Sequence, residues 1–121
     1  MYLEKFKMEK LKQNLRIFAK EREWDQFHSP KNLSMALIVE VSEIVEHFQW
    51  LTEEQSKNLP DEKLKQVETE LADTLIYLIR LADKLGIDLL EAAQKKILVN
   101  ERKYPTDEAK GNAKKYTELN K

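Results

Sequence analysis

The sequence has no cysteine, and it has only 2 glycines and 3 prolines among its 121 residues. Without cysteine the chain cannot form disulfides, thiolate metal sites or a cysteine nucleophile, which fits a reducing compartment. Turn-rich β folds and glycine loops that bind phosphate both need more glycine and proline than this. The composition therefore predicts an all-α protein.

The sequence also lacks a long apolar run and an excess of one charge. No stretch approaches the roughly 18–20 apolar residues that span a bilayer, and no signal-peptide pattern opens the chain. The 21 basic and 22 acidic side chains give a formal net charge of −1, which provides no general attraction to nucleic acids or anionic membranes. We therefore expect one cytoplasmic domain that binds neither a membrane nor a nucleic-acid polymer.

Apolar residues at helical spacing predict four helices with short connections, as in a four-helix bundle. The first helix stops near Glu23, and an aromatic loop over residues 24–31 separates it from the second, which runs to about Trp50. Asp61 is expected to cap the third and longest helix, and Gly86 to end it in a left-handed conformation.

Capping signals also mark the other helix ends. Either Ser29, just before Pro30, or Asn32 is expected to cap the second helix. Thr52 and Gln55 predict a capping box at a short helical turn, and Asp88 with Glu91 predicts another at the start of the fourth helix, which closes at residues 104–105. We therefore expect a helical domain over residues 1–105 and a polar arm or disordered tail over residues 106–121.

Two pairs of acids interrupt the apolar stretches of the second and third helices. Glu40 and Glu43 lie three residues apart, and Glu70 and Asp73 repeat that spacing. Residues three apart share one helix face, and a buried carboxylate costs several kcal/mol unless it is paired, protonated or bound to a cation. The four acids, with no base one turn away on the second helix, predict a site for Mg²⁺, with Mn²⁺ as a substitute.

Two other interpretations of the acids stay open at this point. A di-iron carboxylate bundle needs Glu-x-x-His on two helices, and neither His28 nor His47 lies three residues after a glutamate, which makes that site a weak alternative. Acid pairs on helices are also commonly solvated, so an ordinary exposed face remains the other interpretation.

A basic stripe and a set of aromatic residues are candidates for substrate binding. Lys96, Asn100 and Lys103 follow at i, i+4 and i+7 on the fourth helix, where they could hold a polyphosphate or form a solvated face. Tyr77 lies one turn beyond the acids of the third helix and could donate its hydroxyl to a phosphate or line the bundle. The aromatic candidates flank the second helix and could stack on a base or pack in a core or interface: Trp24, Phe27 and Trp50.

At this level of detail the sequence resembles a known family. Glu40-Val-Ser-Glu43 followed by Glu70-Leu-Ala-Asp73 is similar to the Glu-x-x-Glu … Glu-x-x-Asp signature of the all-α nucleoside triphosphate pyrophosphohydrolases, the MazG-like superfamily. Further segments resemble the dCTP pyrophosphatase branch from about Leu11 to Leu119, namely residues 21–28, 31–33, 48–50, 73–78, 104–105 and 115–119.

The resemblance implies a Mg²⁺-dependent enzyme that hydrolyses dCTP or a related nucleoside triphosphate to the monophosphate and pyrophosphate, as nucleotide-pool house-cleaning. It also implies a homo-oligomer, usually a tetramer, with each site built from more than one subunit. By motif, the metal ligands are Glu40, Glu43, Glu70 and Asp73, and the catalytic base is Glu40 or Glu43. The implied substrate-binding residues are Trp24, Phe27, His28, Asn32, Trp50, Tyr77, Lys96, Asn100, Lys103 and Tyr104.

One position departs from the family pattern. The animal members of the branch that this sequence resembles carry a histidine nine positions before the first tryptophan, whereas this sequence has Leu15 there. We therefore expect the site to bind a broader set of bases than those animal enzymes do. The alternatives are a pyrophosphohydrolase of the same fold acting on dUTP or phosphoribosyl-ATP, and a non-enzymatic helical interaction module whose acids form a partner surface.

Overall fold

The structure, a computed structural model, describes residues 2–119, and the two final residues of the predicted C-terminal arm lie outside that range. The described chain is helical, without a strand, so the all-α prediction is confirmed. Two single 3₁₀ turns lie at Asp25–Phe27 and Tyr116–Glu118. The α-helices are α1 (Tyr2–Glu21), α2 (Pro30–Phe48), α3 (Glu53–Ser56), α4 (Asp61–Lys84), α5 (Leu89–Lys103) and α6 (Thr106–Ala109).

Side-chain caps begin three of these helices at predicted positions. Ser29, rather than Asn32, caps α2: its Oγ accepts a hydrogen bond from the Asn32 backbone N–H at 3.1 Å, and Pro30 follows as the first helical residue. Thr52 and Gln55 form the complete capping box of α3. The carboxylate of Asp88 accepts from the Glu91 backbone N–H at 3.1 Å and caps α5.

The prediction that Asp61 caps α4 is wrong. Pro60 occupies the cap position and Asp61 is the first helical residue, because the extended backbone of Pro60 leads directly into the helix. Asp61 and Glu62 instead place negative charge in the first turn, where it interacts favourably with the positive end of the helix dipole. At the other end of α4, Gly86 has φ +68°, as its predicted role as a left-handed stop requires.

Helices α1 and α4 end in the same hydrogen-bonded motif. In α4 the Gly86 N–H donates to the Asp83 carbonyl and the Ile87 N–H donates to the Ala82 carbonyl, the two bonds of a Schellman motif. In α1 the same two bonds run from residues 23 and 24 back to residues 20 and 19. Here the left-handed position is Glu23, at φ 55°, and the residue that follows it is Trp24.

The chain divides into two compact units, one up to Ile87 and one from Asp88 onward. In the first unit α2 packs chiefly against α4, and α1 also packs against α4. The second unit contains α5, α6 and the final 3₁₀ turn, where Lys103 Nζ lies 4.6 Å from the centre of the Tyr116 ring. The segment after residue 105 therefore has local helical structure, and its separation as an arm stays a prediction.

Few side chains are fully buried within one chain. The core residues of the first unit are Ala19, Leu33, Val67, Ile79 and Ala82. Large apolar residues on α2 and α4 remain exposed instead, and Ile38 for example exposes 64% of its surface. None of the helices in residues 2–119 has the length and apolar character needed to cross a membrane.

Candidate active site

The contact between α2 and α4 brings three of the four predicted metal ligands together. One carboxylate oxygen from each of Glu40, Glu43 and Glu70 lies within 4.8 Å of the others, and all three residues are half-buried. Glu40 Oε2 and Glu70 Oε2 are buried without a hydrogen-bond partner among the described residues. Burying such oxygens without a partner costs free energy unless a cation or a hydrogen-bond donor binds them. The three carboxylates therefore fit the ligand set of a divalent cation.

The same crowding changes the protonation of the cluster. Burial raises the pKa of Glu40, and the neighbouring carboxylate of Glu43 raises it further. The neighbouring carboxylate of Glu43, followed by burial and the charges of the other acids, raises the pKa of Glu70 to about 7. Without a cation the cluster therefore retains a proton near neutral pH, because like charges at this distance oppose full ionisation.

Asp73, the fourth predicted ligand, lies one turn further along α4. It is half-buried, and its charge contributes to the raised pKa of both Glu40 and Glu70. It is not among the three residues whose oxygens meet within 4.8 Å, and its role as a ligand stays a prediction.

A cavity of about 210 Å³ joins Asp73 to several predicted substrate-binding residues of the first unit. Trp24, His28 and Tyr77 line it with Asp73. Leu15, the position that departs from the family pattern, lines the same cavity, and the remaining walls are Phe18, Ala19, Ile76 and Arg80. The structure therefore places an indole, a phenol and an acid around one small and largely apolar space.

The loop that carries Trp24 is held by its own hydrogen bonds. Asn32 Nδ2 donates to the Phe27 carbonyl at 3.0 Å, and Gln26 Nε2 donates to the Glu23 carbonyl at 2.9 Å. The Trp24 ring packs edge-on against Phe18, with 5.6 Å between the ring centres. Asn32 thus supports the loop, and the exposed Phe27 ring does not line the cavity.

Trp50 lies at the opposite end of α2 from Trp24. The Trp24 ring centre is 6.3 Å from that of His28, which lies two residues before the helix begins, whereas Trp50 lies two residues after the helix ends. A helix of 19 residues spans about 28 Å at 1.5 Å per residue. Trp50 exposes 86% of its surface, so within one chain the two indoles do not face each other.

The remaining predicted substrate-binding residues lie in the second unit. Lys96 and Asn100 are exposed on α5 and Lys103 is half-buried, so their helical spacing is observed and their role stays a prediction. Tyr104 packs edge-on against Tyr116, with 6.4 Å between the ring centres.

Sequence reasoning missed a buried ion network beside the cavity. Arg80 lies on α4 in the first unit and exposes only 4% of its surface. Its Nη2 donates to Asp25 Oδ1 at 2.9 Å and lies 3.1 Å from His28 Nδ1, and its Nη1 lies 3.8 Å from Asp83 Oδ2. The sequence does contain a signal for this network: Arg80 is the single charged residue in the apolar stretch of residues 78–82, which indicates a buried cation that needs partners.

Comparison with known proteins connects this arrangement to a family. A model of the MazG-like family matches residues 35–119, most of the chain. The chain belongs to the MazG-like family. The matched range includes all four predicted metal ligands, whereas the loop of Trp24, Phe27, His28 and Asn32 precedes it.

Individual relatives place this MazG-like chain more narrowly. It is 43% identical over 104 residues to dCTP pyrophosphatase 1 of Mus musculus and 42% identical to that of Homo sapiens. The alignments cover 84% of this chain and 61% of each relative, so the chain spans about three fifths of their length. A crystal structure of a pyrophosphatase from Archaeoglobus fulgidus DSM 4304 superposes with a TM-score of 0.77 at 41% identity, covering 81% of this chain and 92% of that one. The predicted MazG-like fold and the resemblance to the dCTP pyrophosphatase branch are therefore confirmed.

Proposed function

We propose that this protein is a metal-dependent nucleoside triphosphate pyrophosphohydrolase that releases a nucleoside monophosphate and pyrophosphate. The observation that carries the proposal is the cluster of Glu40, Glu43 and Glu70, in which two buried carboxylate oxygens lack a partner among the described residues. Relatives named dCTP pyrophosphatase and pyrophosphatase support it. Such an activity would serve as house-cleaning of the nucleotide pool in the cytoplasm.

The metal we propose is Mg²⁺, with Mn²⁺ as a substitute, because an all-oxygen carboxylate donor set favours these ions. Glu40, Glu43 and Glu70 would hold it, and Asp73 would complete the set. Bound Mg²⁺ would neutralise charge on the phosphate oxygens and lower the pKa of a water.

The chain's own contribution to the chemistry is a carboxylate base and a set of positioning groups. A water oxygen would form a new P–O bond to the α or β phosphorus, and the bond from the bridging oxygen to that phosphorus would break. Glu40 or Glu43 would accept the proton of that water. The two products would then be the nucleoside monophosphate and pyrophosphate, with no covalent enzyme intermediate. Lys96, Asn100, Lys103, Tyr104 and Tyr77 are the proposed triphosphate ligands.

We propose dCTP or a base-modified dCTP as the substrate. The Trp24 indole lines the cavity, and Phe27 and His28 belong to the same loop. Leu15 brings a hydrocarbon side chain to the cavity, where it offers no hydrogen bond that selects one base edge. Base discrimination by this cavity should therefore be modest, and dUTP is the competing substrate that needs testing.

The proposed active form is a homo-oligomer, either a dimer or a tetramer. Two observations support it: large apolar side chains on α2 and α4 are exposed, and Trp24 and Trp50 lie at opposite ends of one helix. If both indoles contact one nucleotide, they must come from different chains.

Product analysis with each natural and 5-modified deoxynucleoside triphosphate and Mg²⁺ tests the proposal. Ion-exchange chromatography should show monophosphate and pyrophosphate, and chelation of the metal should stop their formation. Diphosphate with phosphate as products would contradict the proposed bond cleavage. No turnover, with no effect of Mg²⁺ on the melting temperature, would favour the helical interaction module.

A further inference from the structure

Arg80 is the one cationic side chain among the buried residues of the described chain. A buried guanidinium needs partners, because the free energy lost when a charge leaves water exceeds the free energy gained by packing its side chain. Its partners are specific: Asp25 accepts a hydrogen bond at 2.9 Å and His28 Nδ1 lies at 3.1 Å. Both partners belong to the short segment between α1 and α2, more than fifty positions earlier in the sequence.

The protonation of His28 follows from its contact with Arg80. A guanidinium only donates hydrogen bonds, so Nδ1 of His28 must accept and the ring proton must lie on Nε2. Burial lowers the pKa of His28, and the charge of Arg80 lowers it further, which keeps the ring neutral. The contact between the two residues is therefore a directed hydrogen bond from Arg80 to a neutral imidazole.

The segment held by Arg80 carries the indole that lines the cavity. Trp24 precedes Asp25 directly, and its carbonyl accepts the Phe27 N–H at 2.8 Å within the same turn. Lys84 Nζ donates to the same Asp25 oxygen at 3.1 Å, so two cations of α4 converge on one carboxylate. Arg80 differs from Lys84 in also contacting His28 and in lining the cavity itself.

The helix that carries Arg80 also carries the acids. Asp73, Tyr77 and Arg80 follow at i, i+4 and i+7 on α4, and all three line the same cavity. The guanidinium thus connects the segment bearing Trp24 to the helix bearing the candidate metal ligands. No other hydrogen bond between described side chains joins that segment to α4 except the one from Lys84.

We propose that Arg80 and Asp25 are positioning residues, which hold the Trp24 indole at a fixed place relative to the acids of α4 before substrate binds. The proposal rests on the proposed function for its kinetic consequence, but the fixed indole is a property of the free protein. A nucleotide whose base stacks on Trp24 would then have its phosphates directed towards the acid cluster. An indole that is already fixed lowers the entropic cost of nucleotide binding. A displacement of a positioning group by about 1 Å can lower the reaction rate even when that group lies far from the reacting atoms.

The first test uses the free protein and needs no activity. In a Trp50→Phe background Trp24 is the sole tryptophan, and acrylamide quenching reports how firmly it is packed. Asp25→Ala should raise the quenching constant about twofold, because the segment loses its link to α4. Lys84→Ala should change it little, and Glu9→Gln, which removes an exposed acid paired with Lys12, is the matched control for loss of a charge. Equal quenching in Asp25→Ala and the control would overturn the proposal.

The second test separates positioning from general stability. In the otherwise unmodified chain, Asp25→Ala should raise KM about tenfold and leave kcat within about twofold, since the acids themselves are unchanged. Asp25→Asn keeps an oxygen acceptor for Arg80 and should restore most of the affinity. Arg80→Lys should resemble Asp25→Ala in KM if it folds, and the Asp25 variants decide the matter if it does not.

The outcomes distinguish this proposal from the proposed function. An equal fall in kcat for Asp25→Ala, Asp25→Asn and Glu9→Gln, without a change in KM, would overturn positioning and leave the hydrolase intact. If the unmodified chain hydrolyses no nucleotide, the proposed function fails, and the quenching comparison still decides whether Asp25 and Arg80 fix the indole.

Discussion

Arg16 on α1 and Asp83 on α4 form a two-point ion pair, in which Arg16 Nε donates to Asp83 Oδ2 at 2.7 Å and Nη2 donates to Oδ1. The Asp83 side chain exposes only 8% of its surface, whereas the Arg16 side chain exposes 47%. Asp83 also lies 3.8 Å from the buried Arg80. This carboxylate therefore connects α1 to α4 and balances the charge of the network that holds the Trp24 segment.

Replacing that carboxylate should destabilise the fold. We expect Asp83→Asn to lower the free energy of unfolding by about 2 kcal/mol at neutral pH, because a charged hydrogen-bond acceptor is lost beside a buried guanidinium. Urea denaturation followed by circular dichroism measures this, with Glu9→Gln as the exposed control. A loss equal to that of the control would show that the pair contributes nothing.

The pH dependence of that loss follows from the pKa of Asp83. The hydrogen bond from Arg16 lowers this pKa below its ordinary value of 3.8. A lowered pKa gives stability that is present above the unfolded value and is lost as the pH falls through the folded value. The difference between wild type and Asp83→Asn should therefore shrink as the pH falls below 3.8, and a difference that is constant with pH would contradict this.

Glu70 should give the opposite pH dependence. Its pKa is raised to about 7, chiefly by the neighbouring carboxylate of Glu43. A raised pKa gives stability that is complete below the unfolded value of 4.5 and is lost as the pH rises through the folded value of about 7. In EDTA the melting temperature should therefore fall between about pH 5 and pH 8, and Glu70→Gln should flatten the fall.

Metal should reverse this trend, since a bound cation favours the ionised acids. Adding Mg²⁺ at pH 8 should raise the melting temperature of the wild type, while Glu70→Gln should respond weakly. The exposed variant Glu54→Gln controls for loss of one acid. A Mg²⁺ response that is the same in all three proteins would place the cation elsewhere.

Gly86 provides a test of backbone conformation without a packing effect. Its φ of +68° is unfavourable for other residues, and a Cβ added there would meet nothing within 4 Å. Gly86→Ala should therefore lower the free energy of unfolding by about 1 kcal/mol through backbone strain alone. Gly86→Asn should cost less, because asparagine tolerates the left-handed region. If alanine and glycine gave equal stability, the strain assigned to this position would be wrong.

Local signals made the helices and the acid cluster predictable. Ser29, Thr52 and Gly86 act through neighbours within a few residues, so their roles are written in short stretches of sequence. The role of Glu40 and Glu43 was predictable for a related reason. A charged side chain on an apolar helix face becomes partly buried when the helix packs, and it then needs a partner or a bound cation. The cap of α4 was mispredicted because Asp61 and Pro60 both give plausible helix starts in sequence.

Long-range geometry made the rest unpredictable. The link from Arg80 to Asp25 joins residues 55 positions apart, and no spacing rule selects one carboxylate as its partner among the 22 acids of the chain. The left-handed conformation of Glu23 was likewise hidden, because a glycine usually marks such a position. The separation of Trp24 from Trp50, in contrast, was predictable, because the two residues flank the second helix in the sequence, and α2 is unbroken between them.

That separation leads to a mixing experiment on the proposed oligomer. Glu43→Gln should abolish turnover without altering the helical circular dichroism, and Trp50→Ala should reduce nucleotide affinity by about 1–3 kcal/mol, the value of one stacked base. Trp50 is almost fully exposed within the chain, so its removal should leave the fold of each subunit intact.

If one site takes its acids from one chain and Trp50 from another, co-refolding the two variants will create some sites with both groups intact. Activity at low substrate concentration should then exceed that of either variant alone. Mixed Glu43→Gln and Glu40→Gln proteins provide the control, because those two acids meet within one chain and mixing cannot restore them. Recovery in the first mixture but not in the second would assign Trp50 to the neighbouring subunit's site, and no recovery in either would mean that each chain supplies its own tryptophan or none.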